Sequence, residues 1–344
     1  MTTPTPITAV VPCPSCGEGV TASDRFCEGC GAELPTAEGE LVAAAAGGGA
    51  PTATCTGCGA TGQPAGGWCG TCGLRVPAPR DHIERDDGSV AAVTDKGHRH
   101  HRNEDAFALM VAAGAVRVVV CDGVSSTVRP DDASAAAVEA ALARLAASDA
   151  HEPDLMGAHA AALAAVQAVP FEPKADLGPP SCTFLAGVAT DTLVSLASLG
   201  DCRAYWVGHD GDIQQLTTDD SWATEEVRAG RRSESEALEH PMGHLITRWL
   251  AADADPAWAP SITHFEPTGP GRLVLCSDGL WNYLPGTEVL AAAVSSVGAD
   301  APAIDHARHL TTFALDAGGH DNITVVIVDL PLADHRSPGA PTAP

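Results

Sequence analysis

Basic residues are scarce in this sequence: 19 Lys and Arg stand against 44 Asp and Glu, a formal net charge of −25 at pH 7. A field of that sign repels nucleic acid and anionic lipid, which argues against a DNA-binding or membrane-surface role. It would also repel a phosphorylated ligand unless bound cations reversed the potential locally, so the same imbalance points toward metal. Aromatic residues make up only 4% of the chain against 45% apolar residues overall, so Ala, Val and Leu must supply most of a core. Long hydrophobic runs are missing too. The most apolar N-terminal stretch, 41–50, is rich in Gly and Ala and far short of the roughly 20 residues that cross a bilayer. No secretory leader is recognisable, and a cytoplasmic location is expected.

At 344 residues the chain exceeds one ordinary domain of about 100–200 residues. Its cysteines show how it divides. Cys13, Cys16, Cys27 and Cys30 recur 42 residues later as Cys55, Cys58, Cys69 and Cys72, an internal repeat of paired Cys-x-x-Cys turns. Gly17, Gly31, Gly59 and Gly73 follow the second cysteine of each pair, where glycine tolerates positive φ and lets backbone N–H groups face thiolate sulfur. Without a leader such pairs read as metal ligands rather than disulfides. Four thiolates suit tetrahedral zinc, although they do not by themselves distinguish it from iron. The modules resemble tandem zinc ribbons, at 1–35 and 54–76. Residues 36–53 and 77–88 read as linkers, and 333–344 as a Pro-rich disordered tail.

From residue 89 onward short β-branched runs alternate with Ala-rich helical stretches at 132–147, 155–169 and 303–316. Several apolar runs end in a carboxylate and a glycine. The run 116–121 leads into Asp122-Gly123, and 273–276 into Ser277-Asp278-Gly279. Asp321-Asn322 instead opens the run 323–328. A carboxylate at a sheet rim, beside a glycine that lets backbone approach an ion, is a good ligand for a hard cation. A single Asp-Gly is usually only a turn. It is the set that carries weight, together with Asn103-Glu104-Asp105 and with Gly200-Asp201 after the run 193–199.

The ordered series Thr94-Asp95-Lys96-Gly97, Asn103-Glu104-Asp105, Cys121-Asp122-Gly123, Gly200-Asp201-Cys202-Arg203-Ala204-Tyr205, Cys276-Ser277-Asp278-Gly279 and Asp321-Asn322-Ile323-Thr324-Val325 resembles the type 2C (PPM) metal-dependent protein phosphatases, in their bacterial Ser/Thr form, across 89–332. The resemblance implies an α+β fold: a β-sandwich of two antiparallel sheets flanked by helices, here preceded by two small zinc-ribbon modules. It implies that Asp122 bridges two Mn²⁺ or Mg²⁺ ions and that Asp278 and Asp321 complete the first ion's ligands. Glu104 and the Gly123 carbonyl would serve the second ion, Asp105 would hold water on the metals, and Asp201 with Asp278 would take a third ion. The implied reaction is hydrolysis of phosphoserine or phosphothreonine by a water that two metals activate, without a covalent intermediate.

The sequence departs from the family at three places. Bacterial members usually carry a phosphate-contacting arginine five residues after the Asp of the Thr/Ser-Asp-x-Gly motif, where this chain has His100. Arg99, Arg102 or a protonated His100 is expected to bind phosphate instead, the other reading being a solvated basic loop. The family's Asp-Gly-x-Gly-Gly turn is Asp122-Gly123-Val124-Ser125-Ser126 here, so strain at the serines and an altered loop are expected. Its Asp-His-Ser segment is Asp219-Asp220-Ser221, at the start of a flap reaching about residue 255. Cys121, Cys182, Cys202 and Cys276 lie in or beside apolar runs and read as small core residues rather than nucleophiles. The Cys-x5-Arg loop of a Cys-based phosphatase is absent. Phosphorylated proteins and an opposing Ser/Thr kinase are the expected partners, with a protein partner for the ribbons. Arg25 and Arg75 are too few basic residues for nucleic acid. The competing reading is a catalytically weakened phosphatase fold that binds phosphoprotein, or other partners through its ribbons.

Overall fold

The structure, a computed structural model, describes residues 10–12, 19–21, 53–54, 58–62, 69–74, 76, 78–284 and 286–332. The chain divides into two compact units, Met1–Ala78 and Pro79–Pro344. In the first, β1 (Val10–Pro12) pairs with β2 (Gly19–Thr21), and β3 (Ala53–Thr54) with β4 (Thr61–Gly62). Cys69 and Val76 are buried there with Ala60 against them. The disordered tail expected at 333–344 and nearly all of the linker expected at 36–53 lie outside the described residues.

The second unit is built on two antiparallel sheets. One six-stranded sheet contains β5 (His82–Asp86), β6 (Val90–Asp95), β12 (Arg203–Gly208), β13 (Ile213–Gln215), β16 (Gly271–Cys276) and β17 (Ile323–Leu330), in the order β13-β12-β16-β17-β6-β5. The five-stranded sheet contains β7 (Ala106–Ala112), β8 (Ala115–Cys121), β10 (Phe184–Ala189), β11 (Val194–Leu199) and β15 (Ser261–Phe265), in the order β15-β11-β10-β8-β7. A short pair, β9 (Ser181–Cys182) with β14 (Leu250–Ala251), stands beside them. The strand residues explain the layering. Side chains alternate between faces, so Val118 and Val120 of β8 meet Val326 and Val328 of β17 between the sheets. Val119 and Cys121 turn outward onto helices, as do Val325 and Ile327. Strands buried on both faces read as unbroken apolar runs.

Helices α1 (Pro130–Ala146) and α2 (Leu155–Gln167) cover the five-stranded sheet. Ala133, Ala137, Ala141 and Leu145 recur every four residues on the buried stripe of α1, and these small side chains let the helix sit close. Pro130 starts α1, whose missing N–H costs nothing in the first turn. Asp154 caps α2 by accepting from Gly157 N at 2.9 Å. Next come the flap helices α3 (Trp222–Arg228) and α4 (Glu234–Leu238), capped by Ser221 and Ser233. The six-stranded sheet is covered by α5 (Asp278–Trp281), α6 (Thr287–Ser296) and α7 (Ala303–Asp316). The α+β sandwich flanked by helices is therefore present.

One expected boundary is corrected. Residues 77–88, read as a linker, contain strand β5, which pairs with β6 in the second unit. It is an edge strand exposed along its whole length. Its charges are used locally: His82 bonds Asp95 at 2.8 Å, and Arg308 of α7 reaches Glu84 at 2.6 Å. Such a strand is held by its neighbour's backbone, not by burial, so its polar composition imitates a connector.

Candidate active site

Strand register brings the acidic motifs to one end of the sandwich. Asp122 follows Cys121, whose partner Ala106 follows Asp105. Asp278 lies just beyond Cys276, which pairs with both Arg203 and Val325. Asp201 precedes Arg203, and Asp321 precedes Ile323, the partner of Asp95. Asp105, Asp201 and Glu104 are buried. Burial first, then the charges of Asp105, Asp278, Asp321 and Asp201, push the Asp122 carboxyl well above the usual carboxylate range. Asp278 is raised by the same two causes. Burial raises Asp105 to about 6 and, with Asp219 nearby, Asp201 to about 7. Carboxylates gathered this closely repel one another unless cations sit among them.

The donor set fits such cations. Asp105 Oδ1 and Asp278 Oδ1 are buried with no hydrogen-bond partner. Their other oxygens are fixed: Asp105 Oδ2 accepts from Ser277 Oγ at 2.8 Å and from Thr324 Oγ1 at 2.7 Å, and Asp278 Oδ2 accepts from Asn282 Nδ2 at 3.1 Å. Gly123 forms a cradle, since a Cβ there would stand 2.7 Å from the Glu104 and Pro130 carbonyl oxygens. Gly97 does similar work beneath Asp321. Its φ is +72°, and a Cβ would stand 2.2 Å from the Asp321 carbonyl. Every prospective ligand is an oxygen, which suits Mn²⁺ or Mg²⁺.

Glu104 is oriented differently from the aspartates. Its Oε1 accepts from Arg102 Nε at 3.0 Å and its Oε2 from Ser125 Oγ. Arg102 also reaches Asp131 at 3.5 Å. His100 Nε2 stands 3.1 Å from Asp321 Oδ1. Of the three expected phosphate-binding residues, Arg99 is the one that forms no carboxylate pair among the described residues. Its Nη2 lies 3.3 Å from His320 Nε2.

Two expectations need comment. Ser125 and Ser126 do not adopt positive φ, so the strain foreseen there is absent; the left-handed residue is Arg129, with φ 53°. The turn closes through Thr127 N donating to Val124 O at 3.0 Å, which any residue can adopt, and Ser125 instead lends its hydroxyl to Glu104. Cys121, Cys182, Cys202 and Cys276 are indeed buried, and burial pushes the thiols of Cys121, Cys202 and Cys276 up, away from nucleophilic thiolate. Sequence reasoning quoted Ser277, Asn322 and Thr324 only as motif letters. Asn322 ties the loops together: its Oδ1 accepts from Glu104 N at 2.7 Å, while its Nδ2 donates to Lys96 O and Arg102 O. The Asp321-Asn322 step just before a strand is the hint the sequence holds of that role.

In the first unit the Sγ atoms of Cys58, Cys69 and Cys72 lie within 4.8 Å of one another. Gly59 and Gly73 both have φ of +70°, as their positions after the second cysteines suggest. Cys13, Cys16, Cys27, Cys30 and Cys55 lie outside the described residues. Three convergent sulfurs fit a thiolate-bound metal such as zinc.

Comparison with known proteins agrees with this geometry. A family model described as Protein phosphatase 2C matches residues 94–300, and one described as Double zinc ribbon matches 13–73. The serine/threonine protein phosphatase PstP of Mycobacterium tuberculosis is 33% identical over 246 residues, which cover 70% of this chain and 44% of PstP. The chain thus spans less than half the length of that relative. The crystal structure of the M. tuberculosis serine/threonine phosphatase PstP/Ppp matches with a TM-score of 0.58 at 31% identity, covering 70% of this chain and 97% of that one. A PstP catalytic domain in complex with two manganese ions matches with a TM-score of 0.55 at 30% identity, covering 72% and 98%.

Proposed function

This chain belongs to the protein phosphatase 2C family, and we propose that it hydrolyses phosphoserine and phosphothreonine in proteins. The observation that carries the reading is the convergence of Asp122, Asp105, Asp201, Asp278 and Asp321 at one end of the sandwich, with two buried carboxylate oxygens lacking a partner. Asp122, the Gly123 carbonyl, Asp278, Asp321 and Glu104 would hold two Mn²⁺ or Mg²⁺ ions, and Asp201 with Asp278 a third. Bound there, the ions supply the charge that activates water and neutralises the phosphoryl oxygens.

The chain's own groups do the rest. Ser277 and Thr324 hold Asp105 so that Oδ1 is free to accept a proton from a reacting water. Arg99, which forms no carboxylate pair among the described residues, would donate to the phosphate, while Arg102 steadies Glu104 and His100 steadies Asp321. No nucleophilic side chain is needed, so no phosphoenzyme forms. In the first unit the two cysteine sets would each hold one zinc. Thiolate ligands suit a reducing compartment such as the cytoplasm, and no helix among the described residues is long and apolar enough to cross a membrane. A Ser/Thr kinase would supply the substrates. The weakened-module reading is disfavoured because no acidic position of the centre is replaced.

The test is phosphate release from phosphothreonine, phosphoserine and phosphotyrosine peptides with Mn²⁺ and with EDTA. Mn²⁺-dependent release from the first two is expected. Tight peptide binding without release would favour the binding module.

A further inference from the structure

Beside the carboxylate centre lies a cavity of about 770 Å³, between flap helix α4 and helices α5 and α6. Its walls include Glu234, Leu238, Glu239, Trp281, Leu284 and Glu288. The three glutamates come from different parts of the fold: Glu234 from α4, Glu239 from the C-cap just after it, and Glu288 from the first turn of α6. None of them forms an ion pair among the described residues; Glu239 only accepts from Ser235 Oγ at 3.2 Å. His244 also lines the wall, and Arg203, the Lys or Arg there among the described residues, is already satisfied. Asp219 grips its Nε at 3.0 Å and its Nη2 at 2.7 Å, and its guanidinium lies 3.6 Å over the Trp281 ring. The cavity therefore presents three exposed carboxylates with no ion pair among the described residues, beside the apolar side chains of Leu238, Leu284 and Trp281.

We propose that this cavity receives a cationic side chain, Arg or Lys, of the phosphoprotein substrate, and that Glu234, Glu239 and Glu288 set a preference for basic residues near the phosphorylated one. The inference rests on the phosphatase reading above. An Arg or Lys stem would lie along Leu238 and Leu284 with its charged head among the carboxylates, the usual division of such side chains between apolar and polar surroundings. The cavity is within reach of the chemistry. Helix α5 has Asp278 at its start and Trp281 at its end, about 6 Å of helix. Asn282, also on the cavity wall, donates directly to Asp278 Oδ2. An extended peptide advances roughly 3.3–3.6 Å per residue, so the cation belongs within about three positions of the phosphoresidue. An acidic flanking residue would be repelled.

The experiment uses the full chain with Mn²⁺ and phosphothreonine peptides carrying a single Arg, Ala or Glu at each of the three positions on either side. Hydrolysis of p-nitrophenyl phosphate by the unaltered protein reports whether the phosphatase reading holds. The quantity read is the ratio of kcat/KM for the best Arg peptide over its Ala counterpart, which cancels any general loss in a variant. The expected ratio in the unaltered protein is roughly five- to tenfold at low salt, shrinking in 0.5 M NaCl. It should fall toward one in Glu239→Gln/Glu288→Gln. A ratio near one in the unaltered protein, or one that survives both substitutions, would overturn the proposal while p-nitrophenyl phosphate hydrolysis left the phosphatase reading standing. No Mn²⁺-dependent hydrolysis of any substrate would overturn both.

Discussion

Replacing Asp122 with Asn should make the metal-free protein more stable at neutral pH while abolishing its response to metal. The carboxylates around Asp122 are held above their ordinary range by burial and by one another. Asp105 is raised to about 6 and Asp201 to about 7. A carboxyl whose folded pKa exceeds its unfolded value, near 4, stabilises the fold fully below that unfolded value and loses its contribution as pH rises through the folded one. For Asp105 a rise of about two units is on the order of 3 kcal/mol, and the set titrates together, so neighbouring shifts do not simply add. About half of that is already lost by pH 5, which leaves roughly 1.4 kcal/mol to lose above it; at about 2–4 °C per kcal/mol for a unit of this size, the Tm in EDTA should fall by at least roughly 3–6 °C between pH 5 and pH 8. Asp122→Asn removes the central charge and should flatten that slope. Mn²⁺ at about 100 times its Kd should add about 2.7 kcal/mol to the unaltered protein, or roughly 5–11 °C, and nothing to the variant. Thermal melts in EDTA and in Mn²⁺ across this pH range make the test. A variant that melts lower than the unaltered protein in EDTA at pH 8, yet keeps the Mn²⁺ shift, would refute the reasoning.

Arg99→Ala should raise the KM for a phosphopeptide about fivefold, worth about 1 kcal/mol at an exposed position, with kcat little changed; steady-state kinetics with an unaltered KM would remove Arg99 from the phosphate site. His306 is fully buried, and burial and Arg272 hold its imidazole down to about 4. The unfolded chain takes up that proton near pH 6.5, so stability in Mn²⁺ should decline as pH drops from about 7 toward 4. His306→Gln should flatten this acid limb in urea unfolding, and an unchanged limb would contradict the account. Cys72→Ser should cost the second cysteine set its zinc, measured by native mass spectrometry as one ion fewer per chain. Full zinc occupancy in that variant would count against the ribbon.

The strands that carry the centre were legible because both of their faces are buried. The apolar runs at 116–121, 193–199, 273–276 and 323–328 correspond to β8, β11, β16 and β17, within two residues at every end. Edge strands were not legible. His82–Asp86, Ile213–Gln215 and Ser261–Phe265 are polar or exposed along most of their length, and their pairing is imposed by a neighbour rather than by composition. The acidic residues could be read from their place at strand ends. What could not be read was which oxygen each neighbour would occupy. Ser125 looked like a misplaced glycine, yet it donates to Glu104, and Arg102 looked like a phosphate ligand, yet it is held between Glu104 and Asp131. Those contacts depend on side-chain directions fixed only when the loops from distant parts of the chain converge.

The most direct test of the central claim is the rate of phosphate release from a phosphothreonine peptide as Mn²⁺ is titrated into the unaltered protein and into Asp122→Ala. A rate that rises with Mn²⁺, saturates, is abolished by EDTA and is absent from the folded variant is the predicted result. Release that proceeds in EDTA, or that survives in Asp122→Ala, would contradict it.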